Sequence, residues 1–285
     1  MLAEFNVTRV KDIEEAVALM AKGGHKVVAG GTDIIPSLRN MENAGTDLVD
    51  ITAIPGLDNI TEEKNTVYIG PLVTFTDILR SDIIRKRCPL LQKALENAGS
   101  VQIRNRATVG GNICNASPAA DSVPALVALD ARLEITGPKG FREIPVTSFI
   151  AGPKRTNIAE GEILTRIIVH SMEKTEGYSF LKLGRRKALA ISRMNVAVVI
   201  ALENGKIIRA AISPGSVMPA PCRIKKAEDL LIDKAVSEEI FDAAGREVAG
   251  LMLKKSGRRW SSEYKMPVIQ AMVRRALMEA ARIAK

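Results

Sequence analysis

The sequence predicts an α+β fold in two parts, and three observations carry that prediction. Short apolar strand-like runs alternate with helix-period segments from Phe5 to about Ser171. Beyond Glu173 the composition shifts to three strand-like runs, followed by three helical stretches. At 285 residues and 46% hydrophobic content, the chain is long enough for two packed lobes, and a disordered chain is excluded. The expected division is 1–172, itself split into subdomains 1–56 and 57–172, and then 173–285.

Each element has a local reason. Phe5, Val7 and Val10 alternate loosely, as in a short strand. Asp12 followed by Glu15 is a capping-box-like start. Ile13, Ala16, Val17 and Met20 then recur at helical spacing, and Gly23-Gly24 ends that helix. Residues 26–29 read as a buried strand stopped by Gly30-Gly31, and Ile34, Ile35 and Leu38 start a second helix. Residues 48–51 form a strand, and Pro55-Gly56 closes the unit. In the second unit, 67–70 is a strand, Thr76, Ile78 and Leu79 begin a helix, and 88–98 is a helix ended by Gly99. Residues 104–121 read as a loop rich in glycine and asparagine, and 123–129 as a short apolar helix. Residues 133–135, Ile144, Phe149 and 163–169 suggest further strands. In the last part, 178–183, 195–202 and 207–213 are strands, with the hairpin turn Asn204-Gly205 between the last two. Pro214, Pro219 and Pro221 mark a loop, and helices follow near 227–232, 238–253 and 262–283.

Composition removes several function classes. The longest clean apolar run, 196–202, is far too short to span a bilayer. Met1-Leu2-Ala3-Glu4-Phe5-Asn6 has neither the basic start nor the apolar stretch of a secretory signal, so a cytoplasmic location is expected. Cys88, Cys114 and Cys222 form no CxxC, which argues against a zinc site, a self-contained iron–sulfur cluster or a disulfide framework. His25 and His170 are far apart, so a Ser-His-Asp reading has nothing to rest on. Any redox or transfer chemistry is therefore expected from a bound cofactor. The net charge of +9 hints at nucleic acid, but it is uneven: residues 1–150 carry −2 and residues 151–285 carry +11. Aromatics are 4%, and none interleave with the basic clusters, so nucleic-acid binding is not expected. Cys114 is read as a small packing residue, and Trp260 with Tyr264 as helix packing.

Two loops carry the chemistry. The first is Val28-Ala29-Gly30-Gly31-Thr32-Asp33-Ile34-Ile35, and the second is Thr108-Val109-Gly110-Gly111-Asn112, continuing to Asp121. Paired glycines let the backbone approach a ligand closely, and a turned N–H nest suits a phosphate or pyrophosphate. Neither loop matches the dinucleotide or P-loop fingerprints. Each loop alone reads equally well as an ordinary turn. Two of them, one in each candidate subdomain, point to a ligand clamped between subdomains.

On these residues the chain resembles the FAD-binding, or medium, subunit of molybdenum-containing hydroxylases such as xanthine dehydrogenase, carbon monoxide dehydrogenase and nicotinate dehydrogenase. AGGTDIIP and TVGGNICNASPAAD look like that family's two flavin pyrophosphate loops, and Ile103-Arg104-Asn105, Gly161-Glu162-Ile163-Leu164, Lys182-Leu183-Gly184-Arg185-Arg186 and Ser262-Glu263-Tyr264-Lys265 match in order. The resemblance implies a two-subdomain FAD-binding region of the vanillyl-alcohol-oxidase type. It also implies a C-terminal α/β domain with a three-stranded antiparallel sheet and flanking helices. It implies that Val28, Ala29, Gly30, Gly31, Thr32, Asp33, Ile34 and Ile35, with Thr108, Val109, Gly110, Gly111 and Asn112, hold the FAD pyrophosphate, chiefly by backbone N–H groups. Gly99 would touch the adenosine half, and Leu164 would bring its backbone to the flavin or adenine region. Asp121 would contact the ribityl side or else cap the helix after it. Lys182 would sit near the isoalloxazine, stabilising an anionic reduced flavin, or else be a solvated strand residue.

The implied function is electron transfer within a complex. A large molybdopterin subunit hydroxylates the substrate, with purine (xanthine) first and nicotinate or another N-heterocycle next. A small iron–sulfur subunit relays electrons to FAD on this chain, and NAD(P)+ or another acceptor takes them away. The alternatives are a carbon monoxide dehydrogenase medium subunit and a free-standing FAD oxidoreductase without molybdenum partners.

Overall fold

The computed structural model describes residues 5–40, 42, 45–186 and 189–284. Met1 to Glu4 of the amino-terminal reading lie outside them. The first unit runs β1 (Val7–Arg9), α1 (Ile13–Met20), β2 (His25–Val28), α2 (Ile34–Arg39) and β3 (Asp47–Asp50), with its strands parallel in the order β1-β3-β2. Asp12 caps α1 by accepting from the Glu15 amide at 2.7 Å. Val10, Ala16, Val17, Val49 and Ile51 form its small core. β2 is only half-buried, so the buried strand expected there is an exposed-edge strand.

The second unit holds a five-stranded antiparallel sheet and most of the helices. Its elements are β4 (Ile60–Glu63), β5 (Thr66–Ile69), α3 (Phe75–Arg80), α4 (Asp82–Arg87), α5 (Pro89–Leu95), α6 (Val101–Arg104), α7 (Val109–Cys114), α8 (Ser122–Ala128), β6 (Arg132–Gly137), β7 (Gly140–Pro145), α9 (Val146–Phe149), β8 (Ile150–Gly152), β9 (Arg155–Thr156) and β10 (Ile163–His170). The sheet order is β4-β5-β10-β6-β7, and β8 pairs only with β9. Phe149, expected in a strand, instead closes the short helix α9, which Val146 and Phe149 anchor in the core. Two further differences from the sequence reading have plain causes. β4, ITEE, is too polar to announce itself, and it gains strand form only by pairing with β5. The expected loop 104–121 contains α7, because Thr108 accepts from the Gly111 amide at 3.0 Å and starts a helix despite two glycines.

The C-terminal domain is β11 (Glu176–Leu183), β12 (Met194–Glu203), β13 (Lys206–Gly215), α10 (Lys225–Asp229), α11 (Glu238–Ser256) and α12 (Ser262–Ile283). The three strands form an antiparallel sheet in sequence order. Asn204 and Gly205 both take positive φ, 50° and 75°, the conformation a two-residue hairpin turn requires. The middle strand explains the continuous apolar run. Val196, Val198 and Ile200 face the core under α11 and α12, while Ala197 and Val199 join the core of the second unit. α8, buried along its whole length, packs on β12 and β13 and joins the two domains.

Candidate functional site

The first loop leaves β2 and enters α2. Gly31 adopts φ +76°, which a side chain would strain. Gly30 lies against the backbone before the second loop: a Cβ there would stand 1.8 Å from the Arg106 carbonyl oxygen. Glycine is therefore what brings the two loops together. Asp33 sits at the N-cap of α2 without capping it through its side chain. Among the described residues, the N–H groups of Gly30, Gly31, Thr32, Asp33 and Ile34 and the Thr32 hydroxyl have no partner within the protein. Val28, Ala29, Ile34 and Ile35 are half-buried around this opening. A run of unpaired backbone donors beside a close backbone approach fits the diphosphate of a dinucleotide cofactor.

The second loop is arranged differently from the expectation that its backbone donors are open. Val109 N–H donates to the Val73 carbonyl and Gly110 N–H to the Pro71 carbonyl, each at 3.0 Å. Gly111 N–H donates to Thr108 Oγ1 and Asn112 N–H to the Thr108 carbonyl, both at 3.0 Å. Gly110 is small because Pro71 lies on it, where a Cβ would approach to 2.4 Å. What remains for a ligand is the Thr108 hydroxyl proton and the Asn112 amide. Ser122 Oγ donates to Asn112 Oδ1 at 2.6 Å, which leaves the Asn112 Nδ2 donors free among the described residues.

Asp121 and Lys182, 61 residues apart in the chain, meet. Lys182 Nζ donates to Asp121 Oδ2 at 2.6 Å and to the Asn97 carbonyl at 3.0 Å. The side chains are 13% and 8% exposed, so this is a buried bridge between the two domains, and Lys182 is not a solvated strand residue. Asp121 occupies the N-cap of α8 but does not cap it. Its Oδ1 accepts instead from Ser192 Oγ at 2.6 Å and Asn195 Nδ2 at 3.0 Å. Sequence reasoning missed Ser192 and Asn195. Asn195, a fully buried amide at the head of the apolar run of β12, was the legible signal.

Gly99 lies in the same neighbourhood, at φ +59° two residues beyond Asn97, and its carbonyl accepts from Arg104 Nη1 at 3.1 Å. Leu164 turns its side chain into the core and pairs with Ile135, on the strand β10 that packs against α7. The cysteines take no part. Burial pushes the Cys88 thiol up to about 12, and Cys114 is exposed rather than packed. Among the described residues no group of His, Cys, Asp and Glu could hold a metal, and no helix is long and apolar enough to cross a membrane. Trp260 is 91% exposed, so it is not helix packing.

Comparison with known proteins shows the family and the fold along nearly the whole chain. Residues 3–170 match the family model described as the FAD binding domain in molybdopterin dehydrogenase, and 179–280 match the CO dehydrogenase flavoprotein C-terminal domain. The xanthine dehydrogenase FAD-binding subunit of Escherichia coli O157:H7 is 31% identical over 275 residues, covering 95% of this chain and 94% of the relative. The carbon monoxide dehydrogenase medium chain of Hydrogenophaga pseudoflava is 31% identical over 272 residues, with the same coverage. The solved structure of carbon monoxide dehydrogenase from Hydrogenophaga pseudoflava lacking the Mo-pyranopterin moiety superposes with a TM-score of 0.95 at 29% identity, covering all of both chains. With an open donor loop in its first unit and both family domains in order, the chain belongs to the FAD-binding subunits of the molybdenum hydroxylases of the xanthine and carbon monoxide dehydrogenase type.

Proposed function

We propose that this chain serves as the electron outlet of a complex that hydroxylates a purine such as xanthine, or another N-heterocycle, with NAD(P)+ as acceptor, in the cytoplasm. Its partners in this reading are a small iron–sulfur subunit and a large molybdopterin subunit. The supporting observation is the first loop, whose successive N–H groups are unpaired and whose Gly30 lies against the backbone just before the second loop. Gly30, Gly31, Thr32, Asp33 and Ile34 would hold the cofactor diphosphate by backbone N–H groups, with Val28, Ala29 and Ile35 shaping the opening. Thr108 and Asn112 would add side-chain donors, while Val109, Gly110 and Gly111 hold the second loop in place. Gly99, Asp121, Leu164 and Lys182 would border the rest of the cofactor. FAD held there would supply the redox chemistry that links the iron–sulfur partner to the acceptor. Lys182 brings a cation to that border, and Asp121 fixes its position and offsets its charge. We place the functional boundary between the domains at residues 172 and 173.

Purified chain should be yellow and release FAD rather than FMN on denaturation. The complex assembled with its two partners should reduce NAD(P)+ when given xanthine or nicotinate. A chain that takes up no FAD overturns the site. A complex that oxidises carbon monoxide and neither heterocycle transfers the reading to a carbon monoxide dehydrogenase, which the structural likeness also favours. Full turnover by the isolated chain would instead make it a free-standing oxidoreductase.

A further inference from the structure

A second cavity, of about 160 Å³, lies where the turn after β13 meets the corner between α11 and α12. Its lining includes Ser216, Arg259, Ser261, Ser262 and Lys265. This volume is below that of pockets enclosing a whole small molecule, so it suits one group of a larger ligand. The charges converging on it are of one sign. Lys265 and Arg259 line it, and burial, then Arg259, then Arg193 push the Lys265 ammonium below its usual range. The acid in the first turn of α12, Glu263, is held by Arg258 at 3.5 Å on the exposed side. Lys265 has one long contact, 3.5 Å to the Ser216 carbonyl, which leaves ammonium donors for a guest. Ser261 stands at the N-cap of the 22-residue α12 with its hydroxyl bonded to none of the helix amides, so the positive end of that helix also lies at this corner, although the Ser262 amide already donates to the Arg259 carbonyl at 2.9 Å. Between two lining residues, Arg259 and Ser261, lies Trp260, 91% exposed and the single tryptophan of the chain.

The cavity is placed with respect to the flavin-side residues. Lys182, Asn195 and Gly215 are in register across the C-terminal sheet, so Lys182 is two strand spacings, about 10 Å, from Gly215. Ser216 follows Gly215, and its amide donates to the Pro118 carbonyl at 2.9 Å, beyond the second loop. We infer that this cavity binds a phosphate group of a nucleotide electron acceptor, with Lys265 and Arg259 pairing the phosphate and Trp260 stacking the base. The inference rests on the reading of the chain as an electron outlet and extends it to where the acceptor docks. Arginine and lysine at a small recess lined by serines and by apolar residues such as Val217, Met218 and Met252 supply charge-assisted bonds to phosphate oxygens, and an exposed indole offers a face to a purine.

The test uses the full FAD-loaded chain. Tryptophan emission, which comes from Trp260 alone, is followed during titration with ADP, pyrophosphate and adenosine, and FAD content is measured on the same samples. ADP should change the emission saturably and bind tighter than either fragment. Lys265→Gln and Arg259→Gln should each weaken ADP about tenfold at unchanged FAD content, the loss expected for one charge-assisted contact. No saturable response to ADP, or equal binding by both variants and the unaltered chain, overturns the site. Pyrophosphate binding as tightly as ADP overturns the nucleotide assignment. Loss of FAD from the unaltered chain would be a failure of the electron-outlet reading, seen separately from ADP binding.

Discussion

Gly30→Ala tests the contact that brings the two loops together. The new Cβ would stand 1.8 Å from the Arg106 carbonyl oxygen and 2.7 Å from its carbonyl carbon. Real contacts of this kind do not fall below 3.0 Å, so the two backbones must part by about 1.2 Å. The opposing segment cannot swing away freely: the Arg106 and Ala107 amides both donate to the Ile103 carbonyl, and the Ala107 carbonyl accepts from Phe75. Overpacking of this kind costs about 3 kcal/mol. The same shift takes the unpaired donors of the first loop away from the Thr108 and Asn112 side, so bound FAD should fall well below one per chain. Gly24→Ala is the control. Unlike Gly30 it has positive φ, +70°, but its Cβ meets nothing within 4 Å, so it should cost only about 1 kcal/mol of backbone strain and leave FAD content unchanged. Thermal melting and FAD released by acid, measured on all three proteins, decide the matter. If Gly30→Ala keeps full FAD and melts like Gly24→Ala, the loop contact does not shape the cofactor site.

Other perturbations separate the roles of the remaining contacts. Asp121→Ala strands the buried Lys182 ammonium and should cost about 3 kcal/mol; adding Lys182→Met should recover part of that loss in denaturant unfolding. Gly177→Ala places a Cβ 1.8 Å from the Ala280 carbonyl and should loosen α12 from β11, lowering the melting temperature more than the FAD content. Arg142, hydrogen-bonded to both Glu162 oxygens at 2.7 and 2.8 Å, holds the Glu162 carboxyl below its usual range, aided by the Ala159 amide. A carboxylate lowered in the folded state stabilises above its unfolded value near 4.5, and that gain is lost as pH falls through the lowered value. Melting curves of the protein and of Arg142→Met should therefore draw together as pH falls below 4.5. The gap above that should stay under about 1 kcal/mol, because Arg142 is partly solvated.

The local features of this chain were legible because nearest neighbours decide them. Asp12 before an acidic turn, Asn204-Gly205 between strands and the helical spacing of 262–283 depend on residues a few positions away, and each forms where its pattern lies. The glycine loops announced a ligand for the same reason, through backbone freedom written at each position. Sequence resemblance added the family and the cofactor.

Which donors are free is a different kind of fact. Both loops read as open sets of backbone donors, yet in the second loop carbonyls of Pro71 and Val73 take up the first amides, and a hydroxyl and a carbonyl of Thr108 take the next two. No spacing rule within 108–112 contains Pro71 or Val73. The pairing of Asp121 with Lys182, and its support by Ser192 and Asn195, joins positions more than 60 residues apart across a domain boundary. The +11 of residues 151–285 changes meaning in the same way. As a sum it only hinted at nucleic acid; in space Lys265 and Arg259 converge on one recess, next in the chain to Trp260. Local pattern determined that this chain has two paired-glycine loops and a basic half. Long-range packing alone decided which amides stay open and where the charges meet, because hydrogen-bond partners and Coulomb neighbours are set by distance in space.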